Sequence, residues 1–141
     1  MHIYRFTLFL MLIFVLTGCD NANQINQTAL QKSNCDANQA CVYSSGVKVW
    51  LSNESISPES PFSINLDLPE HLRIQSAKLE SITMYMGFIP QKFTKHESIY
   101  KSETMVGICS EKNMLWQLVL NLTNTQTGEP ITHFYNFYVT Y

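Results

Sequence analysis

The stretch FSINLDL, residues 62–68, alternates apolar and polar side chains without a break. Its four apolar residues occupy every second position and fall on one face of an extended chain. The serine, asparagine and aspartate between them fall on the other face. A period of two is typical of a half-buried antiparallel β-strand, so this stretch predicts a sheet with one face in a core.

Similar stretches follow on both sides of residues 62–68. GVKVWLS at 46–52 alternates in the same way, and MLWQLVLNL at 114–122 places every second apolar residue on one face. ITHFYNFYVTY at 131–141 is rich in the β-branched and aromatic residues that suit pleated sheets. In SAKLESITMYM, residues 76–86, the alternation changes phase near Ser81, which predicts a bulge or a second short strand there.

The distribution of strands and turns predicts the fold class. No stretch after residue 45 has a sustained helical period, and turn residues recur about every 8–12 positions. We therefore predict an all-β protein: a single immunoglobulin-like antiparallel β-sandwich of six or seven strands. The stretches 114–122 and 131–141 should form its central hairpin.

The N-terminus has the organisation of a secretory signal peptide. MHIYR is a short positive head, FTLFLMLIFVL is an apolar run too short to span a bilayer, and TGCD follows. LTGC at 16–19 resembles the bacterial lipobox. The resemblance implies that Cys19 is acylated, with palmitate-type chains, and becomes the mature N-terminus. Asp20 then resembles the signal that retains a lipoprotein in the inner membrane, facing the periplasm. The outer membrane, again on its periplasmic face, is the alternative.

The remaining sequence divides into a tether and a domain. We assign 1–18 to the lipoprotein signal peptide, 19–45 to the lipidated N-terminus with a polar tether, and 46–141 to the β-sandwich. Without Arg5 the chain has eight basic and eleven acidic residues, a net charge of about −3. The basic residues are scattered, whereas nucleic-acid binding needs a basic cluster, so we expect no nucleic-acid partner.

Three cysteines remain besides Cys19: Cys35, Cys41 and Cys109. The periplasm favours disulfides, and an odd number leaves one thiol over. Cys35 and Cys41 bracket DANQA, a polar stretch that can turn back on itself, so we favour this pair, with Cys41–Cys109 as the next alternative. The remaining thiol is then either a small buried apolar side chain or a metal ligand.

Motifs of enzymatic chemistry are absent from the sequence. It has no G-x-S-x-G elbow, no HExxH and no phosphate-binding glycine loop. His71 and His96 fall in polar stretches, and His133 falls on the last predicted strand. We therefore predict that the protein is not an enzyme.

TMYMGFIP at 83–90 leaves two interpretations open. If the strand continues through it, Ile82, Met84 and Met86 share one face and form a core stripe, because methionine fills irregular gaps beside aromatic rings. Alternatively, Met84 and Met86 bind Cu(I), which prefers thioether and thiolate ligands. Cys109 is the first candidate for a third ligand. The other candidates are Met105, Met114, His96 and His133.

PESPFSINLDLP together with MYMG resembles the small periplasmic copper-chaperone and cytochrome-oxidase-assembly β-sandwiches. The resemblance implies a Cu(I) site at one end of the sandwich, and Cu(I) is the one cofactor that the sequence offers. Our main hypothesis is a membrane-anchored lipoprotein with a non-enzymatic binding or scaffolding role and an envelope protein as partner. The alternatives are a Cu(I) chaperone or assembly factor and a small-ligand carrier.

Overall fold

The computed structural model describes residues 35–141, which form two antiparallel sheets around one core. The signal peptide, Cys19 and residues 19–34 of the predicted tether lie outside the described residues. The strands are β1 (Cys41–Val42), β2 (Lys48–Leu51), β3 (Phe62–Asp67), β4 (Leu72–Ser81), β5 (Phe88–Pro90), β6 (Thr94–His96), β7 (Ile99–Thr104), β8 (Asn113–Asn124) and β9 (Pro130–Thr140). Within residues 35–141 no helix is long and apolar enough to cross a membrane.

The strand order is that of an immunoglobulin-like sandwich. One sheet has the order β1-β2-β3-β7-β6 and the other β5-β4-β8-β9. The segments β2-β3-β7-β6 and β4-β8-β9 correspond to the ABED and CFG sheets of constant-type domains. The predicted fold class is confirmed. The structure has nine strands where six or seven were predicted, and the shortest, β1, β5 and β6, have only two or three residues each and leave little pattern in the sequence.

The alternating stretches supply the core as predicted. Phe62, Ile64 and Leu66 of β3 are buried, and β8 buries every second apolar side chain: Met114, Trp116, Leu118, Leu120 and Leu122. Each such side chain contributes about 1.5–3 kcal/mol on burial. The opposite face of β3 is also covered, since Ser63 and Asn65 are buried. The predicted hairpin of β8 and β9 is confirmed, although β9 lies at the edge of its sheet and only β8 is central.

The strand β4 differs from its prediction. It begins at Leu72 rather than at residue 76, its irregularity lies between Ile74 and Ser76, and it ends at Ser81. The ladder stops there because the Thr83 side chain accepts a hydrogen bond from the Leu115 amide at 2.8 Å. Residues 82–87 consequently form a loop, and the predicted core stripe of Ile82, Met84 and Met86 does not exist.

The chain before β2 covers the outer edge of β9. The Asn38 amide donates to the Asn136 carbonyl at 3.2 Å, and the Asn38 side chain bonds both the amide and the carbonyl of Tyr138. Asn38 adopts φ 65°, a left-handed conformation that asparagine tolerates well. The Tyr43 hydroxyl donates to the Phe134 carbonyl at 2.9 Å. Residues 35–45 are therefore part of the folded unit, and the predicted domain start at residue 46 is too late in the chain.

A disulfide holds this covering segment. Cys35 bonds Cys41, with Cα atoms 5.6 Å apart, and Cys109 is a free thiol. This confirms the favoured pairing. Cys41 is fully buried and lies opposite Val49 on β2, so the disulfide ties the covering segment to the first sheet. The hydrogen bonds of Asn38 and Tyr43 tie the same segment to the second sheet.

We predict that removing this disulfide loosens the β9 edge. The variant Cys35→Ser/Cys41→Ala should lose about 2 kcal/mol of unfolding free energy, because a small closed loop no longer restricts the unfolded chain. Urea unfolding measures this loss. Hydrogen exchange of the Tyr138 amide should also become faster than in wild type. The control Cys109→Ser should stay within about 0.5 kcal/mol of wild type. Unchanged stability in the double variant would contradict the prediction.

Candidate functional site

Two loops and the C-terminus meet at one end of the sandwich. β4 ends at Ser81 opposite Trp116, close to the start of β8, and the first residue of β8 pairs with Thr140 at the end of β9. The β4–β5 loop (82–87) and the β7–β8 loop (105–112) therefore leave the sheets at the same end. Backbone bonding fixes the first loop there, since the Ile82 amide donates to the Leu115 carbonyl at 2.8 Å.

This end gathers the exposed apolar side chains of the molecule. Nine large apolar residues are exposed among residues 35–141, and eight of them lie here: Met84, Tyr85, Met86, Phe88, Met105, Ile108, Tyr138 and Tyr141. We call this set the apolar end. The ninth, Val42, lies at the opposite end, beside the β1–β2 turn. Tyr85 is the most exposed of the nine, with 90% of its surface in solvent.

The methionines predicted as core or metal ligands lie on the surface. Met84 and Met86 are 37% and 40% exposed on the β4–β5 loop, which excludes them from the core. Core packing is performed instead by Met114, which is fully buried. The difference arises because the chain leaves the sheet after Ser81, so side-chain parity no longer determines which residues face inward.

Two sulfur atoms of the predicted metal set come together. The Cys109 thiol donates to the Met84 sulfur at an Sγ–Sδ distance of 3.4 Å. The Tyr141 hydroxyl donates to the Cys109 carbonyl, which ties the C-terminus to the same loop. Thioether and thiolate are the ligand types that select Cu(I), so this sulfur pair is the part of the apolar end that can hold a soft metal.

The other candidate ligands differ in whether they belong to the same surface as this pair. Met86 and Met105 are exposed residues of the apolar end. Met114 is enclosed by the core and cannot reach a surface ion. His96 lies on β6 of the other sheet, and His133 bonds Ser45. Among residues 35–141, no group of three or more His, Cys, Asp or Glu converges on one point. Among residues 35–141, the two exposed methionines Met86 and Met105 are therefore the remaining candidates for a third soft ligand.

Two hollows along β4 lack the features of a carrier cavity. A hollow of about 170 Å³ lies beside Tyr85 and Phe88, with Ser81 in its wall. Small-molecule sites usually measure about 300–1,000 Å³. A wider groove of about 450 Å³ along β4 has the charged residues Glu70, Arg73 and Lys92 in its lining, whereas apolar walls are typical of ligand sites.

The structure contains a serine–histidine pair that the sequence analysis did not identify. The Ser45 hydroxyl lies 2.7 Å from His133 Nε2, and the Tyr43 ring stacks on the imidazole with centroids 4.0 Å apart. Burial lowers the pKa of His133 and raises the pKa of the Tyr43 hydroxyl, which the nearby Tyr135 raises further. Because the two residues are 88 positions apart, no local sequence pattern indicates this contact.

This pair does not form a catalytic site by itself. A nucleophilic serine needs a base that a third group orients. Within the described part of the chain, His133 has no carboxylate partner; its contacts are Ser45 and the Tyr43 ring. The arrangement instead connects the β1–β2 turn to β9 and extends the cover over that strand edge.

Comparison with known proteins gives this chain no family. No protein-family model matches the sequence, and no curated protein matches it significantly.

We predict that His133 makes stability dependent on pH. The unfolded chain takes up a proton near pH 6.5, whereas the folded state resists protonation down to a lower pH. The unfolding free energy should therefore fall as pH decreases from about 7.5 to 5. Urea midpoints at several pH values measure this. His133→Gln should flatten the dependence, and the exposed-strand control His96→Gln should retain it. An equal slope in both variants would contradict the prediction.

Proposed function

We propose that this chain is a bacterial lipoprotein, anchored through Cys19 and facing the periplasm, with a non-enzymatic binding or scaffolding role. The observation that carries the binding role is the apolar end: eight of the nine exposed large apolar residues among 35–141 gather on one end of the sandwich. Soluble monomers rarely expose such a surface, and where they do it marks a site of interaction. Loops on a rigid scaffold are also the usual place for binding residues.

The anchor rests on the N-terminal sequence. LTGC at 16–19 follows a short apolar run and a positive head, which is the arrangement expected of a lipoprotein signal. The acyl chains attached to Cys19 would be the membrane contact, at about 0.8 kcal/mol per buried CH₂ group. Asp20 favours retention in the inner membrane.

We predict that Cys19→Ala releases the protein from the membrane. The wild-type chain should fractionate with inner-membrane vesicles on a density gradient, because its acyl chains are buried in the bilayer. The variant should retain its uncleaved signal peptide or appear in the periplasmic fraction, with a mass that lacks the acyl groups. Cys109→Ser is the matched control and should behave as wild type. Unchanged processing and attachment of Cys19→Ala would refute the lipoprotein assignment.

Cu(I) binding is a second candidate, favoured by the contact between Met84 and Cys109. Their sulfur atoms, 3.4 Å apart, lie at a solvent-exposed end of the sandwich and are close enough to share one ion. On this hypothesis Cys109 supplies a thiolate, Met84 a thioether, and Met86 or Met105 the third sulfur. The protein would then carry Cu(I) as a chaperone or assembly factor.

We predict that, if this second function holds, the mature chain in detergent binds one equivalent of Cu(I) against a competing chelator. The titration must keep the Cys35–Cys41 disulfide intact, so that Cys109 is the one free thiol once the Cys19 sulfur carries its lipid as a thioether. Met84→Leu/Cys109→Ser should weaken binding at least about tenfold, since both soft ligands are lost. His96→Gln should bind as wild type, and single Leu variants at 86 and 105 would identify the third ligand. Equal affinity in wild type and the double variant would exclude the site.

A further inference from the structure

We propose that the outer edge of β4, at residues 73–76, binds an extended segment of a partner polypeptide by strand addition, and that this segment carries acidic side chains. The surface lies near the start of β4, whereas the loops of the apolar end follow the last residue of that strand. The inference goes beyond the proposed function and depends neither on the lipid anchor nor on Cu(I) binding.

Part of β4 has no neighbouring strand on its outer side. β5 pairs with three of its ten residues, the first of them Lys78, and the Gln91 amide extends this cover to the Ala77 carbonyl at 2.8 Å. In the described part of the chain, residues 73–76 have β8 on one side and no strand on the other. Such an edge presents backbone donors and acceptors to which another chain can bind.

A groove of about 450 Å³ follows this uncovered edge. Its lining includes Ile74 of β4, Phe93 from the connection between β5 and β6, and Tyr100 of β7. These three side chains are partly buried and pack against the core, so the groove offers apolar contact beside the free backbone. The four residues 73–76 span about 13 Å, which suits a short extended segment.

The wall opposite β4 is held in place by hydrogen bonds. The Gln91 side chain accepts a hydrogen bond from the Ser102 hydroxyl at 3.0 Å and donates one to the Thr104 hydroxyl at 3.1 Å. Because the Gln91 amide also bonds β4, this residue joins the two sheets at one end of the groove. The groove is therefore formed before a partner arrives, which reduces the ordering cost of binding.

The charges along the groove select an acidic segment. Arg73 and Lys92 belong to its lining, and the Lys95 ammonium lies 5.7 Å from the centre of the Tyr100 ring. None of the three cations takes part in an ion pair within residues 35–141. Glu70 is the one acidic residue of the lining. The excess of positive charge attracts acidic side chains and disfavours basic ones.

The same charges argue against a second copy of this chain as the occupant. Two copies paired through their β4 edges would bring both sets of cations together along one edge, and like charges that face each other across strands destabilise the pairing. A segment that alternates apolar and acidic residues avoids this repulsion. Its apolar side chains would face the same way as Ile74, and its acidic side chains would share the outer face with Arg73.

The test uses synthetic peptides with the full-length chain, isotope-labelled and purified in detergent, at low salt. The probe is a capped seven-residue peptide of alternating valine and glutamate. One comparison peptide has lysine in place of glutamate, and another has every backbone amide methylated. Strand addition predicts that the glutamate peptide binds with a dissociation constant of about 1 mM or tighter. Nuclear Overhauser contacts should join its backbone to residues 73–76, and hydrogen exchange there should slow.

Charge reversal supplies the matched variants. Arg73→Glu/Lys92→Glu changes two exposed side chains of the groove, whereas Lys48→Glu/Lys112→Glu makes the same change in net charge at exposed positions elsewhere. The groove variant should bind the glutamate peptide at least about fivefold more weakly than wild type and should prefer the lysine peptide. The control variant should keep the preference of wild type for glutamate.

Four results would overturn the inference. The first is no binding at about 5 mM glutamate peptide, which would mean that the irregularity between Ile74 and Ser76 protects this edge from pairing. Equal binding of the glutamate and lysine peptides would exclude selection by charge, and equal binding of the methylated peptide would exclude strand addition. Protection of residues 73–76 that grows with protein concentration, without peptide, would assign the edge to a second copy. The proposed lipoprotein function stands or falls separately, on the Cys19→Ala variant.

Discussion

The outer edge of β9 is the constraint on which the rest of this structure depends. An edge strand presents unpaired amides and carbonyls that invite pairing with other chains. Here Asn38 and Tyr43 bond the backbone at Phe134, Asn136 and Tyr138, and the Thr140 amide donates to the Ile56 carbonyl. Without that cover, the strand that contributes Tyr135, Phe137 and Val139 to the core would be open to solvent and to other chains along its edge.

The segment that covers this edge also connects the two sheets. Its path turns back at Asn38, where the Gln39 amide donates to the Asp36 carbonyl at 3.4 Å, so Cys35 lies beside Cys41 with Cα atoms 5.6 Å apart. The disulfide between Cys35 and Cys41 keeps that path fixed by tying the segment to β2. One local structure thus protects the edge of the second sheet and ties it to the first.

The alternation of apolar and polar residues predicted the buried side chains only where the chain remained in a sheet. In β3 and β8 neighbouring strands bind both edges, so the period of two survives and the buried residues could be predicted. Ile82, Met84 and Met86 continue the same parity, yet a single side chain, that of Thr83, replaces a backbone partner and ends the ladder. The contacts between Ser45 and His133 and between Met84 and Cys109 join distant parts of the chain, and only the strand order brings them together.

The two functions proposed for the apolar end compete for one surface. Met84 and Cys109 belong to the same loops as Tyr85 and Ile108, so a protein partner that covers these loops also covers the sulfur pair. A Cu(I) carrier must exchange its ion with another protein, and that exchange requires the sulfur atoms to be accessible. If the sulfur pair does not bind metal, its thiol and thioether act as further apolar groups in the binding surface, which is the simpler assignment for methionines this exposed.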